Sequence, residues 1–143
     1  MVRDPLKSST YFDAAIAFER EQIQDREAWL AAGKAPSHDK ACLCAYRIYQ
    51  RTKHIMIMSY SRGDSLSDIK EQLGHVVQKR EALIKRAAEF PERLVRYETL
   101  TVDHYRDLLW LLSCAVCLKA EPHIISKIVG FGGRAGQDIP EYG

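Results

Sequence analysis

The stretch "SLSDIKEQLGHVVQKREALIKRAA" restricts the fold more than any other part of the chain. Leu66, Ile69, Leu73, Val76, Val77, Leu83, Ile84 and Ala87 recur at steps of three and four residues, while Lys70, Glu71, Lys79, Glu81, Lys85 and Arg86 occupy the opposite side. Such spacing places one apolar stripe on an α-helix and is incompatible with a strand. This surface helix, with one buried side, is expected to run to about Phe90 and needs other helices to cover its stripe.

Those partners are visible before and after it. A first helix is expected from Ser9 or Thr10, with Phe12, Ile16, Ile23 and Leu30 on its stripe and Tyr11, Ala15 and Phe18 widening it; Asp13 suits the positive end of the helix dipole. "AAGKAPSHDK" ends it through Gly33 and Pro36, and Ser37 is a natural cap for a second helix, about Asp39 to Ser61. The second helix carries Ala41, Ala45, Ile48, Ile55 and Ser59 on one face, with Tyr46, Tyr49, Met56 and Tyr60 beside it, a width that calls for more than one neighbour. Gly63 fits a left-handed C-terminal position, and Ser65 or Ser67 a cap for the third helix.

After "PERLVRYETL", Thr101 caps a fourth helix that is apolar nearly all round from Leu108 to Leu118, the pattern of a helix central to a bundle. Pro122 fits the first turn of a short fifth helix ending at Gly130, followed by a glycine-rich tail. No stretch alternates with period two. The expected class is therefore all-α: a bundle of four long helices, a short fifth helix and a glycine-rich C-terminal tail.

A chain of 143 residues can bury a core without a metal or disulfide staple. Its N-terminus, "MVRDPLKSSTYFD", lacks the apolar run of a signal peptide, and "LLWLLSCAVCL" is too short to span a bilayer, so a cytoplasmic location is expected. Formal net charge is +2, with a mildly basic middle: residues 41–100 hold 11 Lys and Arg against 7 Asp and Glu. Arg47, Arg51, Lys79, Arg80, Lys85 and Arg86 form the basis of one reading, a helical nucleic-acid-binding or regulatory module.

Catalytic equipment is missing from the pattern. Cys42 and Cys44, and Cys114 and Cys117, are closely spaced, but the second pair lies inside an apolar helical run, so core packing is the expectation and neither metal nor cofactor is expected. Of the five histidines none has a second ligand at metal spacing; Glu71 and His75, one turn apart, read as a solvated pair. The tail "GFGGRAGQDIPEYG" follows a helix rather than a strand and lacks a Lys-Ser/Thr ending, which argues against a phosphate loop. No nucleophile elbow is present, and no catalytic residue is assigned. What remains is surface: Glu19, Glu21, Asp25 and Glu27 on the first helix, and Asp64, Asp68 and Glu71 at the start of the third. Acidic patches of this kind suit the basic cleft of a nucleic-acid enzyme.

The opening "RDPLKSSTYFDAAIAFEREQI" resembles the start of the PoNi family, immunity proteins paired with PoNe-type DNase toxins. The likeness continues through the tyrosine-rich second helix and "YSRGDSLSDIKEQL", and "YRDLLWLLSCAVCLKAE" resembles the first helix of the family's C-terminal region. The resemblance implies a non-enzymatic, all-helical protein that binds a cognate DNase toxin and occludes its active site or DNA cleft, in the setting of competition between bacteria, type VI secretion included. It also implies a division into residues 1–97, an N-terminal domain of three long helices, and residues 98–143, the start of a C-terminal domain shorter than in the family. An incomplete C-terminal region would leave apolar surface on the fourth helix for self-association or a partner. With a net charge of +2 the chain is no global DNA mimic, so the expected contacts are the local carboxylates Glu21, Asp25, Asp64, Asp68 and Glu71.

Overall fold

The computed structural model describes the backbone of residues 5–89 and 102–138 and the side chains of residues 10–89 and 105–131. It contains five helices: α1 (Pro5–Ala31), α2 (His38–Arg62), α3 (Leu66–Ala88), α4 (Val102–Cys117) and α5 (Pro122–Asp138). Among the described residues there is no strand, and the fold is all-α.

The ends of α2 and α3 follow from local chemistry. Ser37 is extended, and its Oγ accepts a hydrogen bond from the Lys40 N–H at 3.2 Å, satisfying a donor that the first turn leaves open. At the other end Gly63 adopts φ 85°; its N–H donates to the Tyr60 carbonyl at 3.0 Å and the Asp64 N–H to that of Ser59 at 3.1 Å, which is a Schellman motif. Ser65 then caps α3 through the Asp68 N–H.

The turn between α4 and α5 uses the same hydrogen bonds without the glycine. The Lys119 N–H donates to the Val116 carbonyl at 3.2 Å and the Ala120 N–H to that of Ala115 at 2.9 Å, with Lys119 itself at φ 55°. A side chain in that region crowds its own carbonyl, at about 1–2 kcal/mol. Lys119→Gly removes the crowding but gives back unfolded-chain entropy, so a net gain of ~0.5–1 kcal/mol is expected in denaturant titration.

Packing runs α1 on α2, α2 on α3, and α3 on both α4 and α5, which also pack on each other. One core joins Tyr49 and Met56 of α2, Leu73, Val76 and Val77 of α3, Leu108, Leu111 and Ala115 of α4, and Ile128 and Phe131 of α5. A smaller cluster places Cys42 and Ala45 against Leu83 and Ala87, under Leu30 and Tyr46.

Three expectations change. α4 is not the central helix: Leu108, Leu111 and Ala115 face inward, but Leu109 and Val116 are 65% and 68% exposed, and α3 takes the central place. On α1, Tyr11 and Phe18 do not widen the buried stripe; they are 68% and 54% exposed, and Ile16 is the buried anchor. Finally, α5 does not stop at Gly130 but continues through the glycines to Asp138. Each helical glycine costs up to about 1 kcal/mol, and burial of Ile128 and Phe131 on its inner side offsets that cost. The division expected at residues 97 and 98 lies outside the described residues.

Candidate functional site

The expected carboxylates occupy three settings. Glu21 and Asp25 stand one turn apart on the outer side of α1, exposed, and make no ion pair with any described residue. They share that side with Tyr11 and Phe18, so α1 presents an exposed ridge of two aromatic and two acidic side chains. Asp68 and Glu71 are exposed on the first turns of α3. No Cα of α1 comes within 8 Å of one in α3 among the described residues, so the two acidic pairs stay separate, with α2 between them.

Asp64 is different. It receives hydrogen bonds from Arg62 Nε at 2.8 Å, from Arg62 Nη2 at 2.7 Å and from the buried Ser59 hydroxyl. The Arg62 bonds hold its carboxyl below the usual range. Arg62 also donates to Asp13 at 2.7 Å, so this knot ties the α2–α3 turn to α1.

The inner acids of α1 are likewise engaged. Glu19 accepts from Arg51 at 3.1 and 3.2 Å, with His54 3.8 Å away, and Glu27 pairs with Lys79. The Glu27–Lys79 bridge crosses a polar groove whose walls include Arg20 and Gln24 of α1 and Gln72, His75 and Gln78 of α3, above Thr52 and Ile55 of α2. Ion pairs thus sort the acids of α1 into an anchored inner set and an available outer set.

A second constellation was not expected. α2 and α4 do not approach within 8 Å at any Cα, yet Asp107 of α4 joins them through side chains. It accepts a hydrogen bond from the Tyr49 hydroxyl and one from Lys53 Nζ at 2.6 Å. Arg80 of α3, 1% exposed, has Nη1 3.9 Å from the same carboxylate and its guanidinium 5.0 Å from the Tyr49 ring centre. Burial first, then the adjacent Asp107 carboxylate, push the Tyr49 hydroxyl far up, so it keeps its proton and acts as a donor. Above these groups lies a cleft of about 400 Å³, lined also by Tyr46, Ile57, Arg106 and Trp110.

Arg80 could have been noticed in the sequence, because it is the charged residue set among the buried positions Leu73, Val76, Val77, Leu83 and Ile84. Asp107 gives no such signal; its partners lie 58 and 54 residues away. The burial of Arg80 and the pairing of Arg51 and Lys79 take three members out of the basic set Arg47, Arg51, Lys79, Arg80, Lys85 and Arg86.

Cys42 and Cys44 are buried, Cys114 is half-buried and Cys117 is exposed, so core packing describes the first pair better than the second. Burial pushes the thiols of Cys44 and Cys114 up, which makes both poor nucleophiles. No group of three or more metal-ligating side chains occurs among the described residues, nor is any described helix long and apolar enough to cross a membrane.

Fold and surface together define a small all-helical domain whose inner charged groups are largely tied to one another and whose first helix displays an aromatic and acidic ridge. The chain belongs to the PoNi family: residues 3–130 match the model described as PoNe immunity protein (PoNi), N-terminal. That match covers α1, α2, α3 and α4 entirely and α5 as far as Gly130, so Phe131 of the core lies just beyond it. No curated protein and no solved structure matches the chain.

Proposed function

We propose that this chain is the immunity partner of a PoNe-type DNase toxin and neutralises it by occluding its active site or DNA cleft, without catalysis of its own. Membership of the family supports the pairing. The observation that carries the mode of binding is the outer ridge of α1, where Tyr11 and Phe18 stand beside the carboxylates Glu21 and Asp25, exposed and without an ion pair among the described residues. A DNA-cleaving enzyme must attract phosphates with Lys and Arg. Carboxylates placed opposite that surface speed encounter and reject wrong partners, while exposed aromatic side chains supply the contact area that dominates such interfaces. Asp68 and Glu71 form a secondary acidic pair in this reading, and Asp64 acts by shaping the turn that presents them. The complex forms in the cytoplasm, where the toxin's DNA lies, and protects a cell from toxin delivered by neighbouring bacteria, type VI secretion being one route.

Co-expression with the cognate toxin tests the reading. The Glu21→Lys/Asp25→Lys pair is expected to weaken toxin binding about tenfold or more and to abolish protection, with a melting temperature changed little because both residues are exposed and neither forms an ion pair with a described residue. Full protection by that variant would exclude the α1 ridge from the interface. Failure of the unaltered chain to protect or to co-purify with the toxin would end the proposal itself.

A further inference from the structure

Near the end of α1 and the start of α2, a pocket of about 330 Å³ is lined by Arg26 and Trp29 of α1 and by Lys40, Leu43, Cys44 and Arg47 of α2. Arg26 and Trp29 are one turn apart, and Lys40, Cys44 and Arg47 stand at steps of four and three along one side of α2, with Leu43 beside them. This lining holds three cations and no carboxylate. None of the three forms an ion pair with a described residue. Asp25 and Asp39, next to Arg26 and Lys40 in the chain, lie outside the lining. Arg26 Nη1 instead donates to the Gln22 carbonyl at 3.3 Å and to its side-chain oxygen at 2.8 Å, neutral acceptors that orient the guanidinium without cancelling its charge. The buried Cys44 adds no negative charge either: burial pushes its thiol up against the opposing pull of Arg26, Arg86 and Arg47, and its S–H donates to the Arg26 carbonyl at 3.6 Å. Arg86 of α3 is thus a fourth cation within electrostatic reach of the same thiol.

Every polar side chain on this lining is a hydrogen-bond donor, so its complement is a ligand rich in anionic acceptors. A carboxylate brings one charge and two oxygens, whereas a phosphate monoester brings close to two charges and three oxygens, the better match for three cations. Trp29 and Leu43, both half-buried, add an apolar wall that inorganic phosphate would leave unused. We propose that this pocket binds a mononucleotide: Arg26, Lys40 and Arg47 receive the phosphate, and the base lies against Trp29 and Leu43. Guanidinium groups suit phosphate oxygens through paired N–H donors, and an aromatic face stacks any base. The volume lies within the range of small-molecule sites and suits one nucleotide. This inference does not rest on the toxin reading, because its ligand has the opposite charge to a basic nuclease cleft and its test uses the chain alone.

Isothermal titration calorimetry of the unaltered chain at low salt tests the site, with thymidylate, thymidine, inorganic phosphate and a blocked glutamate peptide as probes. The expected result is saturable binding of thymidylate, weakened about tenfold or more for each of the other three, and falling as salt is added. Arg47→Gln and Arg26→Gln are each expected to weaken thymidylate binding about tenfold. Arg47 is exposed, so its variant decides the matter if Arg26→Gln disturbs the fold, with circular dichroism as the check. An oligothymidylate with a terminal phosphate separates the two sources of such a ligand: binding tighter than that of thymidylate assigns the pocket to a strand end, and equal or weaker binding to the free nucleotide. Absence of saturation with thymidylate overturns the proposal. So does an equal response to inorganic phosphate, which would mark simple anion binding, an equal response to the glutamate peptide, which would mark a carboxylate site, or full retention of binding in Arg47→Gln.

Discussion

Asp107→Ala is expected to lower stability by about 3 kcal/mol in denaturant titration, a large effect for one half-buried surface carboxylate. The reason is its position at a junction that backbone contacts do not make. α4 meets α2 through this side chain, which accepts from Tyr49 and Lys53 and lies 3.9 Å from the guanidinium of Arg80. Removing it leaves the buried tyrosine hydroxyl without that acceptor and takes the nearby negative charge from an arginine that is 1% exposed. Breaking a buried pair from one side costs about 3–5 kcal/mol, and the partial exposure of Lys53 places this case at the lower end. Asp107→Asn keeps an acceptor for Tyr49 and loses only the charge, so it should fall between the wild-type chain and the alanine variant. A loss below about 1 kcal/mol for Asp107→Ala, the range of exposed ion pairs, would mean that the network contributes little to holding α4 in place.

Leu111→Ala is expected to cost about 3 kcal/mol, within the 2–5 kcal/mol range for emptying a buried leucine site. Leu111 is fully buried in the cluster that includes Leu73 and Val76 of α3 and Ile128 of α5. Because this cluster spans α2 to α5, the loss should appear as an earlier midpoint of one cooperative transition. Two separate transitions in this variant would instead favour independent domains at residues 1–97 and 98–143. Leu109 provides the internal control. Only two positions away but on the outer side of α4, its replacement by alanine should change stability by less than about 0.5 kcal/mol.

The helices that were readable in the sequence are those whose pattern and punctuation agree. In α2 and α3 a serine cap and an apolar stripe, joined in α2 by a left-handed glycine at its end, mark nearly the same limits, and Ala41, Ala45, Ile48, Ile55, Ile69, Leu73, Val76, Val77, Leu83, Ile84 and Ala87 are all buried as the periodicity requires. Leu66, in contrast, is exposed at the start of α3, where the helix has not yet met its neighbours. α1 and α4 were legible as helices but not as oriented helices. With apolar side chains at Tyr11, Phe18, Leu109 and Val116 as well as on the inner sides, periodicity alone does not say which side a neighbour covers. For the proposed interaction surface, the sequence pointed to Glu21 and Asp25. It had no means of separating them from Glu19 and Glu27, whose partners Arg51, His54 and Lys79 come from other helices.

What the sequence by itself determined is therefore local: the all-α class, the caps at Ser37 and Gly63 and a serine cap for α3 at Ser65 or Ser67, and the buried stripes of α2 and α3, each set by interactions within a few residues along the chain. Its family motifs also pointed to the PoNi family, which the match over residues 3–130 bears out. Tertiary structure decided the rest. Packing made α3 rather than α4 the central helix, because α4 turns Leu108, Leu111 and Ala115 inward and leaves Leu109 outside. Packing also took Arg80 out of a basic patch and set it under Tyr49 beside Asp107. A charge finds its stabilising partner by distance in space, and residues 58 positions apart, such as Tyr49 and Asp107, meet only once the helices have packed.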